Sequence, residues 1–232
     1  MGGMRRHLGF GGFSMKDIMS EFLGTFILVF AITAAITGSL QLTESFGALN
    51  LLIVSFTAGL VLMALINTFG PISGAHFNPA VTIGLWFAGK FPKEKVPKYL
   101  AAQFLGGIAA SAGLWMIVQN QNLGPTASGN FGTVSAALIE IIATAIFMIV
   151  ILCATSKKAD ANRAGMTIGF FLLVAHLFAI PYSGASLNPA RSLGPALFAG
   201  GKAFAQLWIY FAGPVAGAII GAMVYRKIFE KK

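Results

Sequence analysis

Charged residues are scarce in this chain. Only 10% of its 232 residues are Asp, Glu, Lys or Arg, against about 25% in an average chain. Neither residues 46–89 nor residues 99–139 include any of these four types. A membrane span needs about 20 apolar residues, so each of these stretches has room for more than one element. The composition excludes a soluble domain and indicates a protein that crosses a membrane.

Cysteine and recognisable catalytic patterns are also lacking. Cys153 is the single cysteine, which rules out a disulfide within the chain, and we place it near the inner end of a span, away from any pore. We find no nucleophile–base set, phosphate-binding loop or cluster of metal ligands. The sequence therefore predicts neither an enzyme nor a bound cofactor or metal.

What is present is a series of apolar runs separated by basic clusters. The runs predict six spans, at about residues 17–40, 48–68, 97–118, 134–155, 163–180 and 204–226. Nearly all Lys and Arg residues lie before the first span, at 90–98, at 157–163 and after 225. With six spans these regions share one side, and the positive-inside rule makes that side cytoplasmic. The charge of +9 is thus explained without a nucleic-acid partner, and both termini are predicted inside.

Two copies of one tripeptide, Asn78-Pro79-Ala80 and Asn188-Pro189-Ala190, begin apolar stretches that are too short to span, at about 78–88 and 188–198. Asn is a favoured residue at the N-cap of a helix, and Pro is well tolerated at the first helical position. If the Asn side-chain oxygen caps its own helix, its NH2 group can donate a hydrogen bond outward. Two such helices meeting end to end would direct two donors and two positive dipole ends at one point. That arrangement favours the oxygen of a neutral polar molecule over a cation.

The motifs belong to an internal repeat. Glu21 and Thr25 precede the first tripeptide as Glu-x-x-x-Thr, and Glu140 and Thr144 precede the second. Each tripeptide is also part of Ser-Gly-Ala-x-x-Asn-Pro-Ala. Each half has three spans, an odd number, so the halves enter the membrane from opposite sides. The predicted fold is an all-α membrane protein with six transmembrane helices and two re-entrant half-helices, arranged as an inverted repeat of two three-helix halves.

From residue 15 to residue 226 the chain resembles the aquaporin (major intrinsic protein) family. The resemblance rests on the two Asn-Pro-Ala copies, the continuation to Asn-Pro-Ala-Arg-Ser, and the paired Glu-x-x-x-Thr motifs. It implies one channel domain over 15–226, with halves of about 15–118 and 134–226, assembled as a homotetramer in the cell membrane. Residues 1–14 are predicted to be a disordered basic segment and 227–232 a cytoplasmic tail.

Apart from Asp17 at the entrance of the first span, the carboxylates inside predicted spans are Glu21 and Glu140, and they have two interpretations. Ionisable groups within a membrane are functional candidates by default, so a proton relay is one. The other is structural: each carboxylate accepts N–H groups from the unwound segment before its half-helix. We favour structural support of the re-entrant loops, which the family resemblance also implies.

Three residues of a selectivity filter follow from the family resemblance. Arg191 corresponds to the family's filter arginine, His176 lies at the position where water-selective members have His, and Ala185 is the small third member. A buried Arg in a re-entrant segment is costly unless it has a role, which favours pore lining. Taken alone, His176 would more often be a core histidine bonded to the backbone. His76, two residues before Asn78, is either part of the inner vestibule or a brace for its loop.

The fourth filter position departs from the family. Ala58 stands where typical water channels have Phe, and a missing ring would widen the constriction. Phe56 is close enough that a two-residue shift of register would restore an aromatic ring.

The predicted function is passive, single-file conduction of water that excludes protons and ions. The alternative is a facilitator for glycerol, ammonia, urea or neutral metalloid hydroxides, favoured by Ala58 and opposed by His176. A secondary transporter shares broken helices and inverted repeats, but no titratable residue accompanies the two Asn residues. A junction-forming structural protein is disfavoured because the predicted outer loops are short. The expected partners are water, small neutral solutes and the lipid bilayer.

Overall fold

The computed structural model describes residues 14–43, 45–119 and 123–230. All of the regular structure in these ranges is helical, and six helices are long and apolar enough to cross a membrane. The sequence-based fold prediction is therefore confirmed. In chain order the helices are α1 (Met15–Gln41), α2 (Ala48–Ser73), α3 (Pro79–Phe87), α4 (Val96–Val118), α5 (Gly132–Ala154), α6 (Ala164–Ser183), α7 (Pro189–Ala199), α8 (Gly201–Ala205) and α9 (Leu207–Ile228).

Two long helices extend beyond their predicted ends. The sequence placed these ends at about 68 and 180, short of Pro71 and Pro181. Helix α2 instead continues to a left-handed cap at Gly74, and α6 to one at Gly184. Each proline thus lies within the last turn of its helix, which continues for only two residues beyond it. The predicted disordered segment, residues 1–14, falls outside the described residues except for Ser14, which caps α1.

Glycine allows the spans of each half to pack closely. A Cβ atom at Gly106 of α4 would lie 2.5 Å from the carbonyl oxygen of Phe22 on α1, and one at Gly217 of α9 would overlap the carbonyl of Ile141 on α5. Across the halves, a Cβ at Gly59 of α2 would lie 2.5 Å from Leu173 of α6. Small residues at helix crossings are the usual means of close packing in membranes.

The two half-helices pack on spans of the opposite half. Gly84 of α3 lies against Ala218 of α9, and Gly194 of α7 lies against the backbone of Gly107 on α4. Phe77, just before α3, is fully buried where Gly24 of α1 leaves space for its ring. Each half therefore completes the core of the other, and the N-termini of α3 and α7 meet in the interior.

Candidate functional site: a channel lined by two half-helices

The loops before the two half-helices share an unusual backbone conformation. Three residues in each adopt positive φ, and two of the three are not glycine. Such residues are disfavoured in the left-handed region by about 1–2 kcal/mol each, so other contacts must hold the loops. The φ angles are 88°, 53° and 51° at Gly74, Ala75 and Phe77, and 73°, 44° and 54° at Gly184, Ala185 and Leu187.

Glu21 holds the first loop. Its carboxylate is fully buried and accepts four hydrogen bonds. One oxygen accepts from Ser73 Oγ at 2.7 Å and from the His76 N–H at 2.9 Å. The other accepts from the Phe77 N–H at 2.7 Å and from Gln103 Nε2 at 2.8 Å. These bonds satisfy backbone groups that an unwound segment would otherwise leave unpaired in the membrane.

Glu140 makes the matching contacts in the second loop. It is also fully buried and accepts from Ser183 Oγ at 2.7 Å, the Ser186 N–H at 2.8 Å and the Leu187 N–H at 2.7 Å. The contacts of both carboxylates are those that the structural interpretation requires.

The two asparagines link the loops to each other. Asn78 Oδ1 accepts from the Ala80 N–H at 2.9 Å, and Asn188 Oδ1 accepts from the Ala190 N–H at 3.0 Å, so each side chain caps its own half-helix. Asn78 Nδ2 then donates to the Leu187 carbonyl at 2.7 Å, and Asn188 Nδ2 donates to the Phe77 carbonyl at 2.9 Å. Sequence reasoning left both amide hydrogens available to a ligand, whereas one hydrogen of each amide bonds to the opposite loop. The second hydrogen of each remains.

A cavity of about 1360 Å³ runs along this junction. Both asparagines line it, and so do His76, His176 and Arg191. Apolar side chains of α1, α2, α5 and α6 form much of its wall: Leu28, Ile32, Leu62, Ile66, Phe147, Ile151, Ile168 and Leu172. An apolar wall with a few converging polar groups is typical of a site for small molecules.

One mouth of the cavity is basic. Lys90, Lys157 and Lys158 line it together with Glu230, which forms an ion pair with Lys90. The pairing holds the pKa of Glu230 below its ordinary value, chiefly through the hydrogen bond from Lys90. Cys153 also lines the cavity. The prediction that this cysteine lies away from the pore is therefore wrong, because the C-terminal end of α5 forms one wall of the mouth.

His176 and Arg191 each present one unpartnered nitrogen. Both side chains are 1% exposed. His176 Nδ1 lies 2.9 Å from the Leu172 carbonyl, and Arg191 Nη1 donates to the Gly124 carbonyl at 3.1 Å. His176 Nε2 and Arg191 Nε have no hydrogen-bond partner among the described residues. Buried polar atoms normally find partners, and these two nitrogens, on side chains that line the cavity, lack one in the part of the chain that the structure describes.

The two predicted alanine positions are fully buried, and neither is among the residues that line the cavity. Ala185 has its N–H bonded to Ser183 Oγ at 3.1 Å. The position of Ala58 along the pore axis follows from the antiparallel packing of α2 on α6, in which Asn67 lies against Gly165 and Gly59 against Leu173. Ala58, one residue before Gly59, is therefore about level with residue 174, within a turn of His176.

His76 lines the cavity and also braces its loop. Its Nδ1 lies 3.0 Å from Thr82 Oγ1, and its ring packs against Phe91 with the centroids 4.6 Å apart. The two interpretations offered by the sequence are thus compatible in one residue.

Several supporting residues escaped sequence reasoning. Tyr99 donates to the Ser73 carbonyl at 2.8 Å, and Tyr210 donates to the Ser183 carbonyl at 2.7 Å. A signal was present, since each tyrosine stands seven residues before the packing glycine of its helix, Gly106 or Gly217. Gln103, which donates to Glu21, had no such signal, because no glutamine recurs at its position in the other half.

Comparisons with known proteins agree with this architecture. Residues 11–225 match the family model described as major intrinsic protein. A protein named Aquaporin Z from Photorhabdus laumondii is 37% identical over 231 residues, covering 94% of this chain and 99% of the relative. Another Aquaporin Z, from Brucella melitensis, is 40% identical over 230 residues with the same coverage. The X-ray structure of the aquaglyceroporin from Plasmodium falciparum superimposes with a TM-score of 0.82 at 26% identity, covering 92% of this chain and 96% of that one.

Proposed function

Because the chain belongs to the major intrinsic protein family, we propose that it is a passive channel that conducts water across a membrane, with no catalysis and no cofactor. The observation that carries this proposal is the meeting of two Asn-capped helix N-termini in the wall of one continuous cavity. The similarity to two proteins named Aquaporin Z supports it.

At this junction the remaining amide hydrogens of Asn78 and Asn188 orient each passing water. Both donate to its oxygen, so its own hydrogens point along the file in opposite directions. A water held this way cannot accept a proton from one neighbour while passing one to the next. The positive ends of α3 and α7 add a field that opposes cations at the same point.

Arg191 and His176 form the polar part of the filter. The fixed charge of Arg191 repels cations, while its unpartnered Nε and the Nε2 of His176 offer hydrogen-bonding positions to a water that has left bulk solvent. The remaining wall is mostly apolar, so it offers water few hydrogen-bonding groups between these positions. Glu21 and Glu140 act at a distance, by holding the loops that carry the asparagines.

A second candidate function is the passage of other small neutral solutes, such as glycerol, urea, ammonia or neutral metalloid hydroxides. Ala58 is the specific observation in its favour, because it is small and lies within a turn of His176. The similarity in fold to an aquaglyceroporin is consistent with it. His176 favours the water channel, since it keeps a ring and a polar nitrogen in the filter.

The chain is a membrane protein, and we place it in the cell membrane as a homotetramer with both termini cytoplasmic. The basic mouth of the cavity supports this orientation, because Lys90, Lys157 and Lys158 all lie at one end. We assign the channel to residues 15–226.

Stopped-flow light scattering on proteoliposomes tests the proposal. Vesicles that carry the protein should shrink in sucrose much faster than protein-free vesicles. Re-swelling in glycerol, urea and a neutral metalloid then decides between the two candidates. Water flux without re-swelling supports a narrow filter, whereas fast re-swelling supports a small-solute facilitator. Shrinkage at the protein-free rate would refute the channel altogether.

A further inference from the structure

The loop that joins the two halves, residues 123–131, is bound tightly to the second half. Ser128 is held by Gln206, which accepts from its N–H and donates to its Oγ, both at 2.9 Å. Lys202 Nζ donates to the Ser128 carbonyl at 3.0 Å, and the Gly129 N–H donates to the Tyr182 carbonyl at 2.9 Å. This joining loop is therefore a fixed element of the structure.

From this anchored loop a chain of hydroxyl groups leads to the second half-helix. Thr126 Oγ1 donates to Ser192 Oγ at 2.8 Å, and Ser192 Oγ donates to Ser186 Oγ at 2.6 Å. Ser186 Oγ donates in turn to the Asn188 carbonyl at 2.8 Å and accepts from the Asn188 N–H at 3.2 Å. Thr126, Ser192 and Ser186 are all buried. The Asn188 carbonyl can only accept, so Ser186 donates to it and each earlier hydroxyl donates along the chain towards it.

The same loop holds the filter arginine. Gly124 accepts from Arg191 Nη1 through its carbonyl oxygen at 3.1 Å. Its φ is +63°, and a Cβ atom there would lie 2.8 Å from the side chain of Ile36. Gly124 thus occupies a position that a residue with a side chain would strain, and its carbonyl is fixed in place against α1.

We propose that Thr126 of the joining loop is a positioning residue for Asn188, and through it a specificity-determining residue of the channel. This rests on the proposed channel function. Thr126 acts through Ser192 and Ser186 and itself contacts neither solute nor water in the cavity. The hydroxyl chain does for Asn188 what Thr82, His76 and Gln103 do for Asn78, but it starts outside the repeat. Loss of the Thr126 hydroxyl leaves Ser192 Oγ without its donor and detaches the chain from the anchored loop, so the Asn188 turn and the neighbouring Arg191 become less fixed.

The test compares Thr126→Val, which keeps the shape and removes the hydroxyl, with Thr126→Ser, which keeps the hydroxyl. Water, urea and glycerol permeabilities are measured in proteoliposomes, each divided by the amount of reconstituted protein. We expect Thr126→Val to raise the ratio of solute to water permeability about threefold or more, the scale of one lost hydrogen bond. Thr126→Ser should match the wild type.

The ratio separates positioning from folding, since a variant that only folds less well loses all fluxes in proportion. An unchanged ratio in Thr126→Val, with or without a proportional loss of flux, would overturn the proposal. So would an equal change in Thr126→Ser, because the hydroxyl would then be irrelevant. Failure of the channel function itself would be recognised separately, as wild-type vesicles that shrink no faster than empty ones.

Discussion

In the first half of the molecule Gln103 donates to both Glu21 and Thr82, at 2.8 and 2.9 Å. In the second half the corresponding position, four residues after the loop-binding tyrosine, is Pro214. Glu140 therefore has three donors where Glu21 has four. The loops themselves have the same φ pattern in both halves. The same backbone is thus held by two different sets of side chains.

The difference is larger on the side that faces the cavity. Val81 follows the first Asn-Pro-Ala, whereas Arg191 follows the second, and His76 corresponds to Ser186. The carboxylates that hold the loops therefore occur in both halves, whereas the positive charge beside the asparagine occurs only in the second. A channel that must select at one end and conduct through its centre requires that asymmetry.

The largest expected effect comes from Glu140→Gln, compared with Glu21→Gln. An amide in place of either carboxylate turns an NH2 group towards backbone donors, and each hydrogen bond to a charged group contributes about 1.5–3 kcal/mol. In the first half Gln103 can turn its amide to offer Oε1, which has no hydrogen-bond partner among the described residues. Pro214 offers no such rescue. We expect Glu140→Gln to lower the melting temperature in detergent, and the water flux, more than Glu21→Gln does.

The double variant Glu21→Gln with Gln103→Leu sharpens this comparison. It removes the compensating amide of Gln103 and should lower the melting temperature and the water flux as far as Glu140→Gln does. Equal losses in the two single variants would show that Gln103 has no compensating role.

Next in size is Arg191→Val, which makes the second half resemble the first at this position. Removal of the fixed charge should raise the leakage of cations or urea about tenfold, equivalent to about 1.4 kcal/mol of barrier. Dye-reported ion flux and solute re-swelling measure this. Val81→Ala is the matched control in the first half and should leave selectivity unchanged. Unaltered selectivity in Arg191→Val would remove Arg191 from the filter.

A smaller effect, which depends on the side of the membrane that is treated, is expected at Cys153, which lines the basic mouth. A membrane-impermeant thiol reagent applied to that side should slow water flux, and Cys153→Ser should abolish the effect. Ala34→Cys in the Cys153→Ser background is the control, because Ala34 is at the corresponding position of α1 and lines a separate outer groove. Inhibition of the Ala34→Cys protein, or none of the wild type, would contradict this reading of the mouth.

The smallest effect is expected from Glu230→Gln, which breaks the ion pair with Lys90. Both side chains are partly exposed, so solvent screens the pair. The pKa of Glu230 is depressed in the folded protein, so its contribution is present above the ordinary value of 4.5 and is lost as the pH falls through the lowered value. Thermal unfolding at pH 7 should show a small difference from the wild type that disappears under strongly acidic conditions. A difference that persists there would mean that the side chain acts otherwise than through its charge.

Much of the fold could be read from particular residues. The paired Asn-Pro-Ala motifs predicted both half-helices to within one residue at their starts, because Asn and Pro have strong positional preferences at helix N-termini. The ends of α2 and α6 were missed, because an apolar run alone does not show where a helix ends, whereas the left-handed caps at Gly74 and Gly184 do. The left-handed Ala75, Phe77 and Leu187 could not be foreseen, because their intrinsic preference is against that conformation.

The sequence by itself determined the membrane class, the six spans, the inverted repeat and the identity of the capping asparagines, since these follow from local composition and helix-end chemistry. Only the tertiary structure decided what each polar group faces. It committed one amide hydrogen of each asparagine to the opposite loop, brought Cys153 to the basic mouth, and tied Thr126 and Gly124 to the half-helix that carries Arg191. The reason is that these contacts join residues far apart in the chain, where no local preference operates and the packing of α3 and α7 into opposite halves sets every distance.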